Sequence, residues 1–239
     1  MGNSEVKLYA SPASSFARKI RVLLIEKNVP HEVIMLNLWE ANDYQRINPI
    51  GKVPALKLDD DRVLINSPVI ADYLDGKYPA PRFIPADPDA RLEVRRWEAV
   101  ADGTMDAAAV ILYENRFHDE AARSQAYLTR LRGKIDAGLS ALEALLGKRP
   151  WLVGDSMTLS DLAISCHVGF LAVRMPDLFP QQRFPNLARL WKTLEARESM
   201  IKTVPPWLSK RSKRGQARIA LWKTLEARES MIKTVPPVA

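Results

Sequence analysis

Three serines, Ser11, Ser14 and Ser15, stand with Pro12 between a short apolar run and an amphipathic segment in Lys7 to Lys19, KLYASPASSFARK. Hydroxyls at such a junction lie beside the N–H groups that a helix start leaves unpaired, and this combination suits an oxygen or sulfur anion. A serine nucleophile would need a base and a strained elbow. The chain has no Gly-x-Ser-x-Gly, and His31, His118 and His167 fall at no triad or metal spacing. It also lacks a Walker A loop and a Gly-x-Gly-x-x-Gly, so kinase and NTPase readings fall away. Cys166 lies among Leu162, Ile164, Val168 and Phe170 and reads as a buried, inert thiol. Serine before a helix often does no more than cap it, so from these residues alone Ser14 and Ser15 are caps or anion donors.

The elements that must position these serines alternate strand and helix over the first eighty residues. Lys7-Leu8-Tyr9 ends a strand, and from Ser15 to Asn28 the residues Phe16, Ile20, Leu23, Leu24 and the stem of Lys27 share a helical face. His31 to Leu36 gives a second strand, Asp43 to Ile47 a helical turn, Lys52 to Leu58 a third strand and Arg62 to Ile65 a fourth. The acidic turn Asp59-Asp60-Asp61 makes the last two strands antiparallel, so the sheet is mixed. Ser67 with Pro68 opens a second helix, with Ser67 as its N-cap.

Prolines between Tyr78 and Pro88 break all periodicity, as a linker does, and everything periodic beyond Asp89 is helical. Ala90 to Phe117 forms a long helix with a change of register at Gly103, and Ser124 to Leu146 a second that stops at Gly147. Thr158 and Asp161 have capping-box spacing ahead of an apolar helix from Leu159 to Val173, and Asn186 caps a last one reaching Glu198. The organisation expected is residues 1–79 as a small α/β domain with a four-stranded mixed sheet, 80–88 as a linker, and 89–206 as an all-α bundle. A tail, 207–239, follows.

The chain has 239 residues, 47% of them hydrophobic, enough for a substantial core. Its net charge of +7 is concentrated in the tail, where eight Lys/Arg face two Glu, while the first 206 residues hold 27 basic and 26 acidic side chains. A nearly neutral body argues against nucleic acid as a partner. Leu190 to Pro206 recurs unchanged at Leu221 to Pro237, and two copies do not make a solenoid. No apolar run approaches the roughly 20 residues that span a bilayer, and no secretory signal opens the chain, so a cytoplasmic protein without membrane contact is expected.

Ser14-Ser15-Phe16-Ala17-Arg18-Lys19 resembles the active-site motif of the glutathione transferases, in which Ser or Cys precedes Pro-Phe or a similar pair and then Arg-Lys or Arg-Val. Asn48 to Leu56 resembles the family's Asn-Pro-x-Gly-x-Val-Pro-x-Leu, and Asn66-Ser67 stands where the family usually has Glu-Ser. Gly154-Asp155 to Asp161-Leu162-Ala163 is similar to its C-terminal capping motif. Together these matches run in family order over about residues 5–206.

The resemblance implies a thioredoxin-like N-terminal domain, an all-helical C-terminal domain and glutathione as co-substrate. It implies a cis bond at Val53–Pro54, with the Val53 backbone pairing to the cysteinyl unit of glutathione. Ser67 would take the γ-glutamyl carboxylate, Asn66 its amide surroundings, and Lys52 the glycyl carboxylate. Ser14 would donate to the thiolate, with Ser11 as the rival because it matches the first serine of some bacterial relatives. Ser15 stands where the family has Pro. Met105 and Tyr113 would wall the pocket of a small electrophile, Gly103 would allow close backbone approach, and Phe83 or Arg95-Arg96-Trp97 would meet the second subunit of a homodimer. The activity implied is conjugation of glutathione to apolar electrophiles, with glutathione-dependent peroxidase, isomerase or dehalogenase chemistry, or a non-catalytic glutathione-binding or stress-regulatory role, as alternatives.

Overall fold

A computed structural model describes residues 6–40 and 43–205. The basic tail and the second copy of the duplicated stretch lie outside them. Strand β1 (Val6–Ala10) leads through the serine turn into helix α1 (Ser15–Glu26), which returns to β2 (His31–Met35). A 3-10 turn at Asp43–Arg46 and the loop after it lead to β3 (Ala55–Lys57), β4 (Val63–Ile65) and helix α2 (Ser67–Lys77). The sheet order is β2-β1-β3-β4, with β1 parallel to β2 and antiparallel to β3, and β3 antiparallel to β4. Leu8 sits at the centre, opposite Val33 on one side and Leu56 on the other, and is fully buried.

The remaining helices are α3 (Pro88–Phe117), α4 (Gln125–Leu146), α5 (Leu159–Arg174), α6 (Pro185–Glu195) and α7 (Glu198–Lys202). The architecture is a mixed-sheet, thioredoxin-like N-terminal domain followed by an all-helical bundle. Every residue of α5 from Leu159 to Leu171 is buried, which fits a central helix that is apolar almost all round. Its start is the capping box expected: Asp161 accepts from the Thr158 backbone N–H at 2.8 Å and also from Leu152 N–H at 2.8 Å. Burial pushes the Asp161 carboxyl upward in pKa against those hydrogen bonds.

Four local expectations are corrected. The cap of α2 is Asn66, not Ser67, and Asn66 has φ 74° and makes no side-chain cap bond. Helix α6 is capped by Phe184, and Asn186, one residue inside, donates from backbone and side chain to Glu143 instead. Helix α3 runs unbroken through Gly103, where an added Cβ would meet nothing, so Gly103 marks no close approach. That role belongs to Gly138 on α4, whose missing side chain makes room for Thr104, and to Gly169 on α5, which faces the Trp191 indole. Phe83 is buried within its own chain beneath the Lys27 ammonium and is not free to meet a second subunit.

Helix α1 is buried almost all round because it lies between the sheet and α2 on one side and α5 and α7 on the other. Its polar residues are therefore drawn into the interior. Arg18 pairs with Glu195 at 2.9 Å and donates to the Met200 carbonyl at 3.1 Å. Lys27 reaches Asp75 at 2.8 Å and the carbonyls of Tyr78 and Pro81 at 2.7 Å each. Asp75 in turn accepts from the backbone N–H groups of Phe83 and Ile84, which fixes the connection to α3.

Candidate active site

The serine turn does what its sequence suggested at the level of the backbone. Ser14 is the N-cap of α1, in extended conformation, and its Oγ accepts from the Ala17 N–H at 3.1 Å. A hydroxyl that accepts through a lone pair keeps its hydrogen to donate, so the cap and the donor readings of Ser14 are compatible. Ser11 Oγ accepts from Ala13 N–H at 3.3 Å and keeps its hydrogen by the same reasoning. Both serines are half-buried, and the Ser11 carbonyl accepts from Ser14 N–H at 3.1 Å, so the rivals are adjacent in one turn.

Ser15 is different. It is 4% exposed, and its Oγ lies 2.8 Å from His167 Nδ1 on α5, whose Nε2 lies 2.8 Å from Asp102 Oδ1 on α3. Burial pushes the His167 pKa down, outweighing its bond to Asp102, and so favours the neutral ring. Burial pushes the Asp102 carboxyl up, but the His167 hydrogen bond and the Lys19 charge more than reverse it, and its pKa settles at about 2. A carboxylate can only accept, so Nε2 carries the ring proton, Nδ1 offers a lone pair, and the Ser15 hydroxyl donates to it. The hydrogen of Ser15 is committed to the interior, whereas the bonds that Ser14 and Ser11 accept leave their hydroxyl hydrogens uncommitted.

Sequence spacing missed this cluster because its members come from three helices 152 and 65 residues apart. A signal was present nonetheless: His167 is a polar side chain inside the apolar run Leu162 to Leu171, and buried polar groups need partners.

The second half of the site is the loop before β3. Asn48, 1% exposed, donates through Nδ2 to the Lys52 carbonyl at 2.6 Å, and its Oδ1 accepts from Ile50 N–H at 3.2 Å. Tyr44 donates to the same Lys52 carbonyl at 2.8 Å, with its hydroxyl pKa pushed up to about 12 by burial. Gly51 takes φ 66°, a left-handed turn that any side chain would strain. These restraints present Val53, half-buried, ahead of Pro54, and the Val53–Pro54 bond is cis. Burial and the Asp102 charge raise the pKa of the Asp106 carboxyl on α3, and the exposed Lys52 lies close enough to offset part of that rise.

At the first turn of α2, Ser67 is 1% exposed and its Oγ has no hydrogen-bond partner among the described residues. A buried hydroxyl without a partner costs about 1–3 kcal/mol. At a helix start such a hydroxyl stands beside N–H groups that the helix itself leaves unpaired.

Of the expected pocket residues, Met105 is 4% exposed and packs in the hydrophobic core. Tyr113 is exposed and belongs to an aromatic group that sequence reasoning missed. Trp39 from the loop after β2 meets the Tyr113 ring edge-on at 6.0 Å and Phe117 at 5.7 Å, with the Arg116 guanidinium 4.0 Å over its face. No group of side chains among the described residues has the makeup of a metal site, and no helix there is long and apolar enough to cross a membrane.

Models of known families match this chain twice. Residues 8–82 match the glutathione S-transferase N-terminal domain, and residues 125–190 the glutathione S-transferase C-terminal domain. The GST-like protein YibF of Escherichia coli K12 is 38% identical over 202 residues, covering 84% of this chain and 99% of that protein. A glutathione S-transferase of Methylobacterium radiotolerans, solved with glutathione sulfonate, shares 41% identity and a TM-score of 0.80 over 84% of this chain and 95% of its own. One from Methylobacillus flagellatus KT, solved with glutathione bound, shares 37% identity and a TM-score of 0.81 over 84% of this chain and all of its own. Motif order, mixed sheet, helical bundle and these likenesses agree: the chain belongs to the glutathione transferase family.

Proposed function

We propose that this enzyme conjugates the thiolate of glutathione to small, largely apolar electrophiles. One observation carries the reading: the buried Ser67 hydroxyl at the first turn of α2, which has no hydrogen-bond partner among the described residues and is placed to receive an anionic group. In this reading Ser67 receives the γ-glutamyl carboxylate, with Asn66 beside it. Val53, held ahead of the cis Pro54, pairs through its backbone with the cysteinyl unit as an added strand would. Lys52 supplies charge for the glycyl carboxylate. The binding of glutathione and of glutathione sulfonate by the two solved relatives supports this assignment of the ligand.

The chemistry follows from the hydroxyl directions. Ser14 uses a lone pair for the helix cap and turns its hydrogen to the sulfur, which stabilises the thiolate over the thiol and lowers the thiol pKa. The sulfur then attacks the electrophile and the leaving group departs with its bonding electrons. Ser14 is a donor throughout and forms no covalent bond. The acceptor lies against Tyr113, Trp39 and Phe117, whose exposed rings offer an apolar surface to a flat molecule. A homodimer is part of the proposal, with the exposed end of α3 around Arg96 as the contact.

Calorimetry with wild type and Ser67→Ala tests the reading. Wild type should bind glutathione in the micromolar to low-millimolar range, and the variant about tenfold more weakly, the loss of one charge-assisted hydrogen bond. Folded wild type that gives no heat of binding overturns it.

A further inference from the structure

The Ser15, His167 and Asp102 cluster does not end at Asp102. Both oxygens of that carboxylate accept from Lys19 Nζ, at 2.9 and 2.8 Å, and the same ammonium donates to Glu98 Oε1 at 2.8 Å. Glu98 accepts in turn from Arg95, which also pairs with Asp72 and donates to the Pro68 carbonyl at 3.0 Å. Lys19 is fully buried, His167 is 1% exposed and Glu98 2% exposed. One continuous polar chain therefore runs from Ser15, in the first turn of α1, to Pro68, in the first turn of α2. Its two ends adjoin Ser14 and Ser67.

We propose that His167 is a positioning residue for Ser14, acting through Ser15 at the α1 end of a largely buried relay that fixes the sulfur end of the site against its carboxylate end. The proposal rests on the assignment of Ser14 and Ser67 to glutathione given above. The reason lies in geometry. Ser14 and Ser15 are consecutive, so the direction of the Ser14 hydroxyl depends on where the first turn of α1 is anchored, and His167 holds that turn from α5 through Ser15. A second anchor is the Phe16 ring, whose centroid lies 4.8 Å from that of His167. The charged and titratable groups around the imidazole are Lys19 on α1, Asp102 and Asp106 on α3, and Cys166 on its own helix. Asp102 is the one bonded to it, and Lys19 balances that charge, so the ring needs no proton of its own to hold both neighbours.

A role for His167 through Ser14 separates affinity from activation, because the carboxylate end stays in place when the sulfur end is released. Titration of the bound thiol by its ultraviolet thiolate absorbance reads activation, and calorimetry reads affinity. In Ser15→Ala and in His167→Leu the bound thiol pKa should rise by about one unit and kcat with an aromatic halide should fall about tenfold, while glutathione Kd stays within about threefold. His167→Asn, which can still offer an oxygen to the Ser15 hydroxyl, should recover part of the thiolate. The Ser15→Ala/His167→Leu double variant should be no worse than either single one. An unchanged thiol pKa in folded Ser15→Ala overturns the proposal, as does a Kd that weakens in step with kcat. If wild type binds no glutathione, the assignment of the ligand fails. The relay is then decided by 15N resonances of His167: a neutral ring protonated at Nε2 and perturbed by Ser15→Ala upholds it, and an imidazolium, or a ring indifferent to Ser15, overturns it.

Discussion

The first turns of α1 and α2 are built from similar residues and finished in opposite ways. At α1 each hydroxyl has a partner: Ser14 accepts from Ala17 and Ser15 donates to His167. At α2 the Asn66 side chain makes no cap bond and the Ser67 hydroxyl, equally buried, has no partner among the described residues. A helix start satisfied by the protein is a fixed point from which a donor can be aimed. A start left unsatisfied keeps donors that, under the proposed function, a ligand takes up.

The largest effect should come from breaking the satisfied end. Lys19→Met leaves Asp102 buried without its cation and Glu98 with Arg95 alone, and should cost roughly 3–5 kcal/mol of stability by denaturant unfolding. A loss under about 1 kcal/mol would mean that the relay is not what holds α1. Next, Ser14→Ala should lower turnover about a hundredfold, as loss of a donor to a reacting anion does, with a smaller change in glutathione affinity and about 1 kcal/mol lost with the cap. If its pH–rate profile matches wild type, Ser11 is the donor.

Acid should act on the same end. The folded Asp102 pKa is depressed from 3.8 to about 2, so its contribution is complete above about pH 4 and lost as pH falls toward 2. That contribution is about 2 kcal/mol, and it should vanish from the acid limb of the stability curve of Asp102→Asn. The smallest effect on the apo protein is expected at the unsatisfied end. Ser67→Ala removes a buried hydroxyl that lacks a partner, so thermal unfolding should show apo stability unchanged or slightly raised, even as glutathione binding weakens. Apo destabilisation of more than about 1 kcal/mol would show that Ser67 is a structural cap after all, and would dissolve the contrast between the two helices.

Much of this was legible in the chain because local rules sufficed. Period-two and period-3.6 patterning marked all four strands and the long helices, and the acidic turn at Asp59-Asp60-Asp61 required the antiparallel pair. Thr158 with Asp161 marked the capping box that is present. The errors fell where a tertiary partner displaced a local preference. Asn186 caps nothing because Glu143 on α4 offers its backbone and side chain a carboxylate. Trp39 arrives from a distant loop to stand beside Tyr113, a neighbour that no local pattern announces.

The order of the elements, the serine turn at a helix start, and the loop that sets Val53 ahead of Pro54 each follow from residues within a few positions of one another. Which serine turns inward is settled by contacts between distant helices. Ser14 and Ser15 are neighbours with the same chemistry, and nothing local tells them apart. His167 and Asp102, carried by α5 and α3, take the hydrogen of Ser15 because a buried carboxylate can only accept and so sets the direction of every donor behind it.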